Sequence, residues 1–444
     1  MNLLSLHQSS FKLGRLAAAS ALLCAGLAQA QTAPGVTLYG LADVGITSVS
    51  GLRAGTVTQV ASGIMEGSRW GIKGNEDLGG GYKAIFTLES RVELDTGGNS
   101  SRPISGTQLS DRFATASGPI SLGLPTDAAL GLPAGTGQDT ISAVGAKLAD
   151  EFGVNVGKYG NRAFDRQAYV GLITPVGAVL AGRMYTPAFE TNAMFDIMET
   201  QSGLAAGQIV AFPAVLEIRK SNALQYRIVK DGFAGSLMYA LGDNGEAAND
   251  SSQMVGFNAS YKSNAFAVGM GYNAAKNELG QDSLKTTVLG ASMNFGNGKV
   301  SGMAIKIVDD NPSGFSAISP LLQGAPYNAP AAFANLIQGA FVNAFKQDGT
   351  LLHIGYRRVM GPHTVSVAYN TYDDKRPANA DVSSYGMAYT YELSKRTDLN
   401  AVLVHYDNKN SAQVAPGGNG YIGGVTDKAG TDSNGIAFGI RHRF

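Results

Sequence analysis

Cysteine is almost missing from this chain. Among 444 residues there is one, Cys24, so an intrachain disulfide framework is excluded. Histidine is scarce too: past the first 30 residues only His353, His363, His405 and His442 remain. They are scattered, with no metal-ligand spacing. No nucleophile motif or phosphate-cradling glycine loop stands beside them. Hydrolytic, redox and metal-centred chemistry therefore lack their residues; the expectation is a non-enzymatic protein with no cofactor and no metal. An excess of either charge is also absent, with 34 Lys and Arg against 34 Asp and Glu. That balance offers no basis for a nucleic-acid partner. Long apolar runs are missing as well: beyond residue 30 nothing approaches the roughly 20 apolar residues of a spanning helix. Hydrophobic residues nevertheless make up 44% of the chain, and mean hydropathy is −0.01.

The first 30 residues read differently from the rest. Lys12 and Arg15 precede the apolar run "LAAASALLCAGLAQA", which closes on Ala-Gln-Ala at 28–30. A charged start, a short apolar middle and small residues at the cut predict a signal peptide over 1–30, removed after Ala30 and taking Cys24 with it. Taking Lys12 and Arg15 from the 34 basic residues leaves 32 against 34 acidic, a net of −2.

What the chain has in quantity is glycine, 58 residues, with 18 Tyr and 18 Phe, and a period of two. In "GYKAIFTLESRVEL", 81–94, Tyr82, Ala84, Phe86, Leu88, Val92 and Leu94 fall on one face, and Lys83, Thr87, Glu89, Arg91 and Glu93 on the other. "NAFAVGMGYN", "HTVSVAYNT" and "YGMAYTYEL" alternate in the same way. In a soluble sandwich the apolar face would turn inward; in a membrane barrel it turns to lipid, and small or polar residues line the lumen. Strand length near the 9–11 residues of a tilted crossing, charge on the polar face and Tyr near strand ends favour the barrel.

Strands are predicted near 36–47, 67–75, 81–94, 164–173, 177–184, 215–229, 232–241, 251–262, 264–273, 284–296, 298–309, 348–359, 362–372, 382–393, 397–408 and 433–444, sixteen in all. Tight links, "EDLGG", "TPVG", "KDG", "KSN", "GNG", "MGP" and "LSKR", alternate with longer ones. The expected fold is an all-β, 16-stranded antiparallel transmembrane barrel over 31–444, with short periplasmic turns and long outer loops. Within the long link 310–347, "PAAFANLIQGAFVNAF" has the pattern of a short amphipathic helix; a loop folded over the rim is expected there, and a helix entering a membrane or a partner is the alternative.

Several stretches carry a family resemblance. "VTLYGLADVGI" at 36–46, "GSRWGIKGNEDLGGGYKAIFTLES" at 67–90, "DRQAYVGL" at 165–172, "AGRMYTP" at 181–187 and the closing "GIAFGIRHRF" are similar to the trimeric general porins of Gram-negative outer membranes, most of all the beta-proteobacterial type. The Gly/Ser/Thr/Pro-rich segment 95–163 departs from that family's compact second loop and is expected to be an extended outer loop.

The resemblance implies an outer-membrane homotrimer, exported by the leader and surrounded by outer-membrane lipids and lipopolysaccharide. Each barrel would pass small hydrophilic solutes and ions by passive diffusion. A substrate-specific channel, with a binding site shaped by the long loops, is the alternative. The third loop, here 185–214, is expected to fold inward and bring Glu190, Asp196 and Glu199 opposite a basic wall. Motif by motif that wall takes Arg69, Arg166 and Arg219, and Lys73 is counted with them. Alternation agrees for two of them: Arg69 shares a face with Gly71 and Lys73, and Arg219 with Ser221, Gln225 and Arg227. Fixed charge of this kind selects solutes by sign and orients their dipoles. In the last strand Ile436, Phe438, Ile440, His442 and Phe444 share one face, against Arg441 and Arg443 on the other. Phe438, Ile440 and Phe444 are the family's signature for the barrel-assembly machinery, and this strand is expected to close on the first, since lipid tolerates no open edge.

Overall fold

The computed structural model describes residues 35–52, 54–98, 102–103, 163–210, 218–242, 252–316, 318–325, 328–419, 421–422 and 426–444. The leader read at 1–30 and most of the segment 95–163 lie outside the described residues.

The strands are β1 (Gly35–Leu52), β2 (Gly55–Ser62), β3 (Arg69–Gly79), β4 (Tyr82–Arg91), β5 (Arg102–Pro103), β6 (Gln167–Thr174), β7 (Gly177–Tyr185), β8 (Arg219–Lys230), β9 (Phe233–Ala240) and β10 (Met254–Lys262). They continue as β11 (Phe266–Lys276), β12 (Asp282–Phe295), β13 (Gly298–Asp309), β14 (Gln347–Met360), β15 (His363–Asp374), β16 (Val382–Glu392), β17 (Thr397–Asn408), β18 (Tyr421–Ile422) and β19 (Ser433–Arg443). Among the described residues, the α-helices between them are α1 (Pro187–Phe195), α2 (Ile318–Gln323) and α3 (Ala331–Phe345), with a 3-10 turn at Ala206–Ile209. Apart from the short β5–β18 pair, the strands form one antiparallel sheet of 17. It closes because β19 pairs with β17 on one side and β1 on the other.

Seventeen strands fill sixteen places around the barrel, because β2 and β3 share one. β2 runs along Val44–Leu52 of β1, and β3 along Gly35–Leu41. Sequence alternation did not reveal β2. It covers only the upper half of its neighbour, and eight residues fall short of a full crossing. Between its two halves the stave breaks at 63–68, opposite Ala42 and Asp43 of β1.

All seven tight links join adjacent antiparallel strands. Asp231 and Gly232 both adopt positive φ, 51° and 85°. That is the Asp-Gly geometry whose twist suits a two-residue hairpin. Facing follows the period of two. Leu38, Val170, Leu237, Leu289, Ile354, Val367, Leu403 and Phe438 point outward and are exposed, part of a band running round the barrel. Such an area far exceeds the few hundred Å² of apolar patch a soluble monomer shows; a bilayer is the solvent that fits it. Among the described residues no helix is long and apolar enough to cross a membrane; the strands supply the crossing.

The inner face is not uniformly polar. From β12 to β17 it presents buried Val288, Ile305, Ile307, Leu351, Tyr372, Val382, Val402, Val404 and Tyr406. Phe195, Ile197, Met198, Leu204 and Ile209 cover them, so part of the lumen holds an apolar core. α1 lies inside the barrel against β10, β11 and β12. Residues 412–418, between β17 and β19, are also buried and turn inward. The helix expected in 310–347 is α3. It packs on α2 through Phe315, Ile318, Leu322, Ile337 and Phe345 at the long-loop end.

Candidate functional site

The inward segment occupies one side of the lumen, and charged side chains line the other. They form a ladder across neighbouring strands. Asp398 of β17 bonds Arg441 at 3.0 Å and Arg443 at 2.8 Å, both on β19. These two arginines hold Glu66, in the break between β2 and β3, at 2.8 and 3.2 Å. Glu66 meets Arg69 at 3.1 Å, and Arg69 meets Glu89 of β4 at 3.6 Å. Glu89 takes the Arg166 Nε–H at 2.7 Å and the Tyr39 hydroxyl at 3.1 Å. Arg166 and Arg219 both donate to the Tyr185 hydroxyl, at 3.2 and 3.0 Å.

The topology explains the sequence of partners. Arg69 and Arg443 stand opposite Leu41 from its two sides, and Glu89 is opposite Gly71 of β3. Guanidinium is well suited to this arrangement, since its planar fork binds two carboxylates at once and stays charged. Fixed charges beside a narrow water column, over low-dielectric wall, are screened less than charges on an open surface.

Of the residues picked from the sequence, Arg69, Arg166 and Arg219 come together on this wall through Glu89 and Tyr185. Lys73 lies four residues beyond Arg69 along β3, its ammonium 5.2 Å from the Tyr39 ring centre. Each of the three loop acids takes partners other than these arginines. Glu190, on α1, pairs with Arg227 of β8 and accepts from Asn258 of β10 at 3.1 Å. Glu199 pairs with Arg357 of β14 at 2.6 Å. Asp196 accepts from the amides of Met198, Thr200 and Ala206 at 2.9, 3.2 and 3.2 Å, close to His353. A carboxylate desolvated inside a barrel is costly unless charge or amides satisfy it. Each acid therefore turns to the nearest donor and anchors the segment.

Asp196 also fixes an unusual turn: Glu199, Thr200 and Ser202 all have positive φ, between 55° and 64°. His353 accepts the Ile197 amide at Nε2, 3.0 Å, and Tyr406 donates to the Gly203 carbonyl at 2.8 Å. Glu66, Glu89, Asp398, Arg441 and Arg443 complete the ladder and were not singled out for the constriction. Glu89 shares the polar face of "GYKAIFTLESRVEL", and Arg441 and Arg443 face away from Phe438 and Ile440, so alternation carried part of the signal. Glu66 had none, because it lies in the break rather than a strand.

Phe438 and Ile440 face outward and are exposed. Phe444 exchanges two backbone hydrogen bonds with Gly40 of β1, each 3.1 Å, and its ring covers that glycine.

A family model described as "Gram-negative porin" matches residues 16–411. Outer membrane porin protein 32 of Delftia acidovorans is 26% identical, over 97% of this chain and 99% of its own length. Among solved structures, an anion-selective porin from Comamonas acidovorans superposes with a TM-score of 0.63 at 22% identity, covering 93% of this chain and all of that one. The trimer form of OmpT from Vibrio cholerae superposes with a TM-score of 0.54 at 12% identity, covering 93% of this chain and all of that chain.

Proposed function

Because the chain belongs to the Gram-negative porin family, and is thus an outer-membrane β-barrel channel, we propose that it passes small hydrophilic solutes and ions by passive diffusion and favours anions. The observation that carries this reading is the ladder: five arginines, Arg69, Arg166, Arg219, Arg441 and Arg443, against three carboxylates, Glu66, Glu89 and Asp398. The loop acids do little to redress that balance, because Glu190 and Glu199 hold arginines of their own. The anion selectivity of the Comamonas porin is in keeping with this sign. The inward segment and the ladder together form the constriction. Three barrels assemble in the bilayer, among outer-membrane lipids and lipopolysaccharide, and the last strand is read by the assembly machinery. The leader at 1–30 directs export, and 95–163 adds an outer loop. No catalytic step is assigned.

Planar-bilayer recordings of the refolded protein test this. Stepwise conductance that rises linearly with salt is expected. A pure, folded protein that gives no steps overturns the reading, and saturating block by one solute class replaces it with a substrate-specific channel.

A further inference from the structure

Asp43 lies on β1 directly opposite Arg441 and is fully buried. Its carboxylate is not bonded to that arginine. Oδ1 accepts the Ile64 amide at 3.0 Å, and Oδ2 accepts the amides of Met65 and Glu66 at 2.9 and 2.8 Å. Its backbone is held as well. Ser68 Oγ donates to the Asp43 carbonyl at 2.9 Å and accepts its amide at 3.0 Å, and the Gly63 amide donates to the same carbonyl at 2.7 Å. One buried carboxylate thus satisfies three consecutive amides that a broken strand would otherwise leave unpaired, a need that burial makes strict.

The segment it holds carries the central acid of the ladder. Glu66 is the only residue of 63–68 that binds Arg69, Arg441 and Arg443 together. The same segment receives the tip of the inward loop. The Met65 carbonyl accepts the Ser202 amide at 2.9 Å and Asn419 Nδ2 at 2.6 Å. Asn419 Nδ2 also donates to the Thr200 carbonyl at 2.8 Å, and its amide donates to the Gly63 carbonyl at 2.8 Å.

We propose that Asp43 is the positioning residue of the constriction: by capping 64–66 it places Glu66 between the arginines and so sets how much of their charge the permeating ion meets. The proposal rests on the channel reading above. Asparagine at this position keeps the shape but presents an NH₂ where an acceptor is required. One of the capped amides then faces a donor, and Glu66 leaves its partners.

Reversal potentials in a KCl gradient test it on the refolded full-length barrel, with folding checked by heat-modifiable gel migration. Glu66→Gln removes the acid directly and shifts the potential toward chloride. Asp43→Asn shifts it in the same direction and to the same extent, and the double variant shifts it no further. Asp43→Glu, which keeps the charge but misplaces the carboxylate, shifts it the same way by less, and it serves alone if Asp43→Asn does not fold. Additive shifts mean that Asp43 acts by its own charge; these, or folded Asp43 variants with an unmoved potential, overturn the proposal. A wild type that conducts nothing instead removes the channel reading beneath it.

Discussion

At the scale of single residues, Glu89 is the most exposed to test. It lies between Arg69 and Arg166, 3.6 and 2.7 Å from their nitrogens, and is almost fully buried. Removing one partner of a buried pair leaves the other charge uncompensated, which costs about 3–5 kcal/mol. Glu89→Gln is therefore expected to destabilise the barrel by about 3–5 kcal/mol, read as a lowered denaturation midpoint. It also shifts the reversal potential toward anions, because two guanidiniums lose a shared counter-charge. A midpoint within error of wild type contradicts the ladder geometry. Much of this residue scale was legible beforehand. Arg69, Arg166 and Arg219 were picked by motif, and for Arg69 and Arg219 the facing was also read from the period of two. The partners of Glu190 and Glu199 were not legible, since Arg227 and Arg357 lie 37 and 158 positions away. A loop's register against a distant wall leaves no pattern in the chain.

At the scale of elements, the inward segment is held by shape as much as by charge. The Phe195 ring sits against Gly290 of β12, where a Cβ would overlap it, and Ile197 sits against Gly355 of β14 in the same way. Phe195→Ala is expected to cost about 3–5 kcal/mol through the cavity it leaves. It should loosen α1 and give larger, noisier conductance steps. Unchanged steps would mean that α1 does not bound the pore. On the long-loop side, Glu278 ties two loops: it accepts the amides of Gly314 at 2.7 Å and Ser316 at 3.1 Å. Burial opposes its ionisation, but the Ser316 and Gly314 donors outweigh that and hold its carboxyl below the usual range. A depressed carboxyl adds stability above its unfolded pKa, and that stability is lost as pH falls through the folded value. Amide exchange at 314–316, corrected for intrinsic rate, should stay protected at neutral pH and open below the ordinary glutamate range. Protection that persists there removes the tie. The strands themselves could be read because one face meets lipid. β13 shows the limit of that reading, with Val300 outside and Ile305 and Ile307 inside. An apolar core within the lumen blurs the alternation that marks a wall.

At the scale of the molecule, the barrel is a closed ring, and its seam joins strands from opposite ends of the chain. β1 and β19 pair from Leu41↔Arg443 to Ser50↔Asn434. Phe444 extends the pairing to Gly40, and His442 meets Thr397 at 2.9 Å on the outer face. An unclosed seam would leave a row of unpaired amides in lipid. Phe444→Ala is expected to lower the yield of heat-modifiable barrel while leaving the conductance of the barrels that form unchanged. Altered conductance at normal yield would place Phe444 in the pore instead of the seam.

The central claim is that fixed arginines on one wall set the sign of what passes. The direct measurement is the zero-current potential of wild type and of Arg69→Gln/Arg166→Gln/Arg219→Gln across a KCl gradient. The account predicts a chloride-favouring potential in wild type that moves toward potassium in the triple variant. A folded, conducting triple variant whose potential matches wild type would contradict it.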